Sequence, residues 1–185
     1  MRVFTAIALP QEIKDRLTAF RETRIPSARW DHHDDFHLTL RFIGDVDIAT
    51  YKRYKSALAA VKASPFELVL ERVGRFPLQE RRPPTVLWVG VRATPALLEL
   101  QQKISSVLEE QGLAKDKHEG YNPHITLARL RTDHQLEELD RFLHSQASFR
   151  TEPIPVSEFV MYQREPGSNA ANYKQIDRFA LEPLT

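Results

Sequence analysis

His37-Leu38-Thr39-Leu40-Arg41-Phe42-Ile43-Gly44 and, half a chain later, His124-Ile125-Thr126-Leu127-Ala128-Arg129-Leu130 decide how this sequence is read. In an extended strand, residues i and i+2 share a face. His37 and Thr39 therefore point one way and Leu38 and Leu40 the other; His124 and Thr126 are set against Ile125 and Leu127 in the same order. Each strand has an apolar face for a core and a polar face carrying one imidazole and one hydroxyl. One such strand reads as a solvated surface. Two copies imply two related lobes that bring two imidazoles over one substrate atom.

Outward from these segments, strands and helices are mixed. Val3–Leu9 suits a first strand, and Pro10–Arg24 has Ile13, Leu17 and Phe20 at helical spacing with Pro10 at the first turn. Asp47–Lys62 and Pro95–Gln111 read as amphipathic helices, the second closed by Gly112. Asp133–His144 is a third helix. Phe66–Val73, Val86–Val91, Val156–Gln163 and Tyr173–Leu181 read as strands, the last two joined through Pro166-Gly167-Ser168-Asn169. Gly74–Pro84 is an Arg- and Pro-rich loop. The pattern predicts one domain over residues 1–185, made of two intimately packed lobes.

Composition narrows the function. Among 185 residues there is no cysteine, which removes disulfides and thiolate zinc sites. The net charge of +1, from 26 Lys and Arg against 25 Asp and Glu, is far from that of a protein that coats long nucleic acid. It fits a local site for a small anionic group. The scattered glycines form neither a dinucleotide loop nor a P-loop. No stretch approaches the roughly 18 apolar residues of a membrane span, and the first strand does not read as a signal peptide. The expectations are a cytoplasmic monomer with no membrane partner.

Paired imidazoles suit phosphodiester hydrolysis. With an ordinary pKa near 6.5, one ring can be neutral while its partner is charged near neutral pH. The neutral ring takes a proton from water and the charged ring gives one to the leaving alkoxide. The threonine hydroxyls donate to non-bridging phosphate oxygens as charge builds. This chemistry needs no metal and no cofactor.

The two tetrads, together with Arg2-Val3-Phe4-Thr5-Ala6-Ile7, Arg29-Trp30, Gly74-Arg75-Phe76-Pro77, Val86-Leu87-Trp88-Val89-Gly90-Val91 and Pro123, run in order along nearly the whole chain. In this the sequence resembles the 2H phosphoesterase superfamily, and within it the RNA 2',3'-cyclic phosphodiesterase or 2'-5' RNA ligase branch. The resemblance implies a bilobal α+β fold, with two antiparallel sheets related by a pseudo-twofold around a central cleft and helices outside. It implies hydrolysis of RNA ends or nucleotides bearing a 2',3'-cyclic phosphate to a 2'-phosphate. It assigns His37 as acid on the O3' leaving group, His124 as base on water, and Thr39 and Thr126 as phosphate binders. Arg129 matches the family's arginine after the second tetrad, although strict alternation would turn it away from the cleft without a bulge. By the same alternation Arg41 shares the His37 face and is a second candidate for phosphate, while Phe42 belongs to the core. Trp30 and Tyr173 are candidates for stacking on a base. The segment Met161–Tyr173 departs from the family's usual serine and Gly-Ala pattern, so base recognition there is open.

Three competing readings remain. Asp31-His32-His33-Asp34-Asp35-Phe36-His37 carries metal-ligand chemistry, with His118, His134 and His144 as distant candidates, and would make a metal-dependent phosphohydrolase. A non-catalytic RNA-end binder is the second, although binding alone favours Arg or Lys over His. RNA 2'-5' ligation at the same site is the third.

Overall fold

In the computed structural model, residues 1–23, 25, 28–76, 85–116, 120–130, 136–165 and 172–183 are described. Parts of the Gly74–Pro84 loop, the Pro166–Asn169 link, Asp133, His118 and His134 lie outside them. Two four-stranded antiparallel sheets carry the fold. In the first, β1 (Arg2–Ala8) lies between β3 (His37–Asp45) and β9 (Glu158–Arg164), with β10 (Tyr173–Ala180) outside β9. In the second, β6 (Thr85–Val91) lies between β7 (His124–Leu130) and β5 (Leu70–Phe76), with β2 (Ala28–Trp30) outside β7. The order β3-β1-β9 thus answers to β7-β6-β5, as a pseudo-twofold requires. A small ribbon pairs β4 (Phe66–Leu68) with β8 (Ile154–Val156).

β3 is an edge strand, and β2 covers only the Ala128–Leu130 end of β7. Among the described residues, the histidine ends of both strands therefore have no neighbouring strand on one side. These edges meet, and β3 contacts β7 across the two sheets.

Among the described residues the α-helices are α1 (Gln11–Thr18), α2 (Ile48–Ala59), α3 (Pro95–Glu110) and α4 (Leu136–Ser145). Asp47 caps α2 by accepting from the Thr50 amide at 2.7 Å. Thr94 caps α3, with Pro95 in its first turn. Gly112, at φ +97°, ends α3: its amide donates to the Glu109 carbonyl and the Leu113 amide to that of Leu108. This pair of bonds needs a left-handed residue, which glycine adopts without strain.

A continuous apolar core draws on both sheets and on each of these helices, including Leu17, Leu38, Leu58, Leu87, Ile104 and Leu139. Truncating a fully buried member such as Leu38 to Ala costs about 2–5 kcal/mol. A smaller cluster of Phe4, Ala6, Val160 and Tyr162 covers the other face of the first sheet.

Three elements depart from the sequence reading. The helix expected to Arg24 stops at Thr18 and tightens into a 3₁₀ turn over Ala19–Thr23. There the Thr18 and Thr23 hydroxyls donate to the Lys14 and Phe20 carbonyls, a local pairing that competes with helix continuation. The strand expected over Phe66–Val73 splits at Val69, where the Leu70 amide donates to Thr151 Oγ1 and Arg72 adopts φ +64° beside a register shift. The third departure governs the site. In β3 the register skips Leu40 between Thr39 and Arg41, and in β7 it skips Leu127 between Thr126 and Ala128. Both tetrads thus end in a bulge at the same place, and each bulge reverses the faces of the residues beyond it.

Candidate active site

A cleft of about 270 Å³ is lined by His37, Thr39, His124, Thr126, Arg129 and Tyr173, with further walls from Phe4, Phe42, Asp31, Asp35, Arg2 and Arg164. Both tetrads present their polar pairs to it. Leu38, Leu40, Ile125 and Leu127 point into the core as the alternation predicts.

Each imidazole is held the same way. His37 Nδ1 bonds the carbonyl of Asp35 at 2.5 Å, and His124 Nδ1 bonds that of Asn122 at 2.7 Å. A carbonyl only accepts, so Nδ1 carries the hydrogen in both rings. Nε2 is left as the nitrogen available to substrate.

Their surroundings differ. The His37 ring packs against Phe4 at 4.8 Å between centroids, Tyr173 at 5.3 Å edge-on and Tyr162 at 5.4 Å. Burial among these rings pushes its pKa down to about 4, the Asp35 carbonyl and carboxylate opposing the shift in smaller measure. His37 so placed is neutral at pH 7. Among the described residues His124 meets one aromatic ring, Phe76 at 5.1 Å edge-on, which in turn packs against Trp88. Trp88 lies so close over Gly74 that a Cβ there would come within 2.2 Å of the indole, so this wall requires glycine.

The bulges decide which arginine reaches the cleft. Beyond Leu127, Ala128 is buried and Arg129 turns into the cleft, where its guanidinium donates to Asp31 Oδ1 at 2.8 Å. Burial holds the Asp31 carboxyl above the usual carboxylate range, with Arg129 pulling the other way. Beyond Leu40 the same reversal acts on different residues. Arg41 does not share the His37 face. It is buried behind the strand, bonded to Asp116 at 2.7 Å, the Ala114 carbonyl at 2.6 Å and Glu109 at 3.3 Å. Phe42, expected in the core, takes the cleft position and is 68% exposed. Arg41 as a phosphate ligand and Phe42 as a core residue are thus both corrected by one bulge. Trp30 also lies away from the cleft lining, packed against the main core.

Tyr173 stands in the cleft, anchored from below. The buried Asp35 carboxylate accepts from the Asn172 amide at 2.8 Å, the Asn172 side chain at 2.7 Å and the Tyr173 amide at 3.2 Å. Asp35 thus holds His37 through its carbonyl and the start of β10 through its carboxylate.

Arg2, Arg164 and Phe4 line the cleft without being site candidates in the sequence, and Asp31 and Asp35, candidates there only as metal ligands, line it as well. Alternation carries the signal for two of them. Arg2 and Phe4 share a face of β1, and Arg164 pairs with Tyr173 across β9 and β10. The Asp and His residues before β3 disperse. His33 bonds Asp15 at 2.8 Å and Asp34 at 3.0 Å, His32 Nδ1 accepts from the Asp34 amide, and Asp35 faces Asn172. Among the described residues no three His, Asp or Glu side chains are grouped to hold a metal ion.

Solved structures share this architecture. Escherichia coli LigT complexed with 3'-AMP superposes with a TM-score of 0.76 at 27% identity, covering 98% of each chain. TT0787 of Thermus thermophilus, at 23% identity and a TM-score of 0.78 over 98% of each chain, shares the fold. The protein is thus a LigT-like α+β protein with two main antiparallel sheets. It belongs to the 2'-5' RNA ligase superfamily, whose profile matches residues 9–168. Relatives include RNA 2',3'-cyclic phosphodiesterases of three organisms. That of Geobacillus stearothermophilus is 35% identical over 68% of this chain, a match that spans 41% of the relative's own length. The Aeropyrum pernix protein is 30% identical over 70% of this chain and 73% of its own. That of Escherichia coli K12 is 29% identical over 97% and 96%. Among the described residues no helix is long and apolar enough to cross a membrane.

Proposed function

We propose that this protein is an RNA 2',3'-cyclic phosphodiesterase that opens a terminal cyclic phosphate to a 2'-phosphate by metal-independent acid–base catalysis. The observation that carries the reading is the convergence of two identically tethered imidazoles and two threonines on one cleft. Relatives with this activity support the choice of substrate.

His124 Nε2 takes a proton from water as the water oxygen bonds to phosphorus. The P–O3' bond breaks, and His37 Nε2 gives its proton to O3'. The products are a 2'-phosphate and a free 3'-hydroxyl, and the two histidines end with their protonation exchanged. Burial keeps His37 neutral at pH 7, so it must gain a proton before it acts as acid. The phosphodiester anion supplies the drive, because a negative charge beside the ring favours the imidazolium. Thr39 and Thr126 donate to the non-bridging oxygens, and Arg129 adds a charge-assisted contact by exchanging Asp31 for phosphate. Phe42 and Tyr173 offer flat apolar surface to the terminal base.

Product analysis tests this directly. An oligonucleotide ending in a 2',3'-cyclic phosphate, incubated with the protein in a strong chelator, is expected to yield a 2'-phosphate. A 3'-phosphate product would reverse the leaving group. Turnover that disappears in the chelator and returns with a divalent ion would replace this mechanism by a metal-dependent one.

A further inference from the structure

The cleft is not the largest concavity beside the histidines. A groove of about 800 Å³ opens from it, and the two share Thr39, Phe42 and His124. Its further walls include Phe76, Gln101, Ser105, Tyr121 and, at the rim, Lys115. The cleft itself falls slightly below the range of about 300–1,000 Å³ usual for ligand sites, whereas the groove lies well inside it. Phe42 borders both, so one ring can serve a surface on each side.

Among the described residues the charges along the groove cancel. Arg41 is engaged by Glu109 and Asp116, which leaves Lys115 to balance the remaining negative charge of that set. A second phosphate would find no built site there. Aromatic edges from Phe42 and Phe76, flanked by the polar side chains of Gln101, Ser105 and Tyr121, suit a nucleobase instead. Chain chemistry then identifies which one. A nucleotide whose 2' and 3' oxygens are closed in a cyclic phosphate continues only through its 5' oxygen. Its one covalent neighbour is the nucleotide on the 5' side.

We propose that this groove is a subsite for the base of the penultimate nucleotide, and that the protein therefore acts on oligonucleotide ends in preference to mononucleotides. The proposal rests on the cyclic phosphodiesterase reading for its substrate. Recognition is by stacking and is tolerant of base identity.

Binding of a dinucleotide 3'-monophosphate and of a mononucleotide 3'-monophosphate, measured by calorimetry on the whole protein, tests it. The dinucleotide is expected to bind about tenfold more tightly, within the range of one base stacked on aromatic rings. Ser105 lies on the groove wall of α3 and takes no part in the proposed chemistry. Ser105→Trp should fill the groove, abolish the dinucleotide preference and leave mononucleotide binding unchanged. Ser105→Leu, a smaller intrusion, should give an intermediate loss and guards against misfolding of the larger variant. Equal binding of both probes by the unaltered protein would overturn the proposal, as would a preference that survives both substitutions. Parallel weakening of both probes would place the terminal base in the groove and overturn it too. Turnover of the matching cyclic phosphates is followed separately. A preference in binding without any turnover would leave the subsite standing and sink the enzymatic reading.

Discussion

β3 and β7 are two readings of one design. Both begin with a histidine tethered through Nδ1 to the carbonyl two residues earlier, both place a threonine beside it, and both bulge after the next leucine. Beyond the bulge the two strands part company. β3 buries Arg41 and exposes Phe42; β7 buries Ala128 and exposes Arg129. The repeated portion delivers the two imidazoles and two hydroxyls. The divergent portion gives the cleft one apolar wall and one cation, which a ligand with a flat base and an anionic phosphate can use together. The packing around the rings diverges as well: among the described residues, three aromatic rings meet His37 and one meets His124.

If the two halves act as one unit, removing either imidazole is the heaviest blow. His37→Ala and His124→Ala should each lower kcat/KM by at least roughly 10²-fold, the scale of general acid–base catalysis. Steady-state rates on a cyclic-phosphate substrate check this. Near-normal turnover in one variant would show that its half serves only as scaffold.

The aromatic packing at His37 also predicts how the halves differ in acid. His37 in the folded protein binds a proton only near pH 4, whereas an unfolded histidine does so near 6.5. Between these values the unfolded chain holds more protons, so stability falls as pH falls through that window and levels off below it. For a ring that is only partly covered the loss amounts to about 2 kcal/mol. Urea unfolding of the wild type and His37→Asn between pH 7 and 4 should show this component in the wild type alone. An equal slope in both would mean that His37 is not held neutral by its aromatic neighbours.

Arg129 tests the divergent portion. Arg129→Ala removes one charged donor and should cost about 10- to 100-fold in kcat/KM. Arg129→Lys should recover little, since a point charge does not reproduce the planar fork. Thr39→Ala and Thr126→Ala, each losing a neutral donor, should fall nearer the lower figure. An arginine variant as active as wild type would mean that Asp31, not phosphate, is its lasting partner.

The same pair of strands marks where sequence suffices. Period-two alternation placed His37, Thr39, His124 and Thr126 on one cleft and Leu38, Leu40, Ile125 and Leu127 in the core, because side-chain period is a local property of the chain. The pair of sheets is legible because the tetrad repeats. Alternation alone failed one residue past each tetrad. A bulge leaves no mark in residue type, since Leu40 and Leu127 remain buried on either register. Alternation thus sends Arg41 to the cleft although it lies behind the strand, and turns Arg129 away although it lines the cleft. The sequence offers Asp35 only as a metal ligand; its tethering role is not legible because its partners, Asn172 and Tyr173, lie at the far end of the chain.

The smallest expected effect concerns what keeps the halves in step. Tyr121 donates its hydroxyl to the Thr39 carbonyl at 2.8 Å, joining the backbone of the first tetrad to the segment that delivers His124. The next residue, Asn122, holds the His124 ring. Arg41 reinforces the join from behind by grasping Ala114 and Asp116. The phenol therefore acts as a spacer between two half-sites and touches neither water nor phosphate in the proposed reaction. Tyr121→Phe keeps the ring and removes one neutral hydrogen bond, worth about 0.5–1.5 kcal/mol. If that bond sets the separation of the imidazoles, then on a mononucleotide cyclic phosphate, which does not reach the groove, the loss falls on kcat, about two- to tenfold, while KM is unchanged. If it serves only the stability of the segment, the Tm drops and kcat does not. Measuring kcat, KM and Tm on the same preparation separates a part that aligns the two strands from one that merely packs between them.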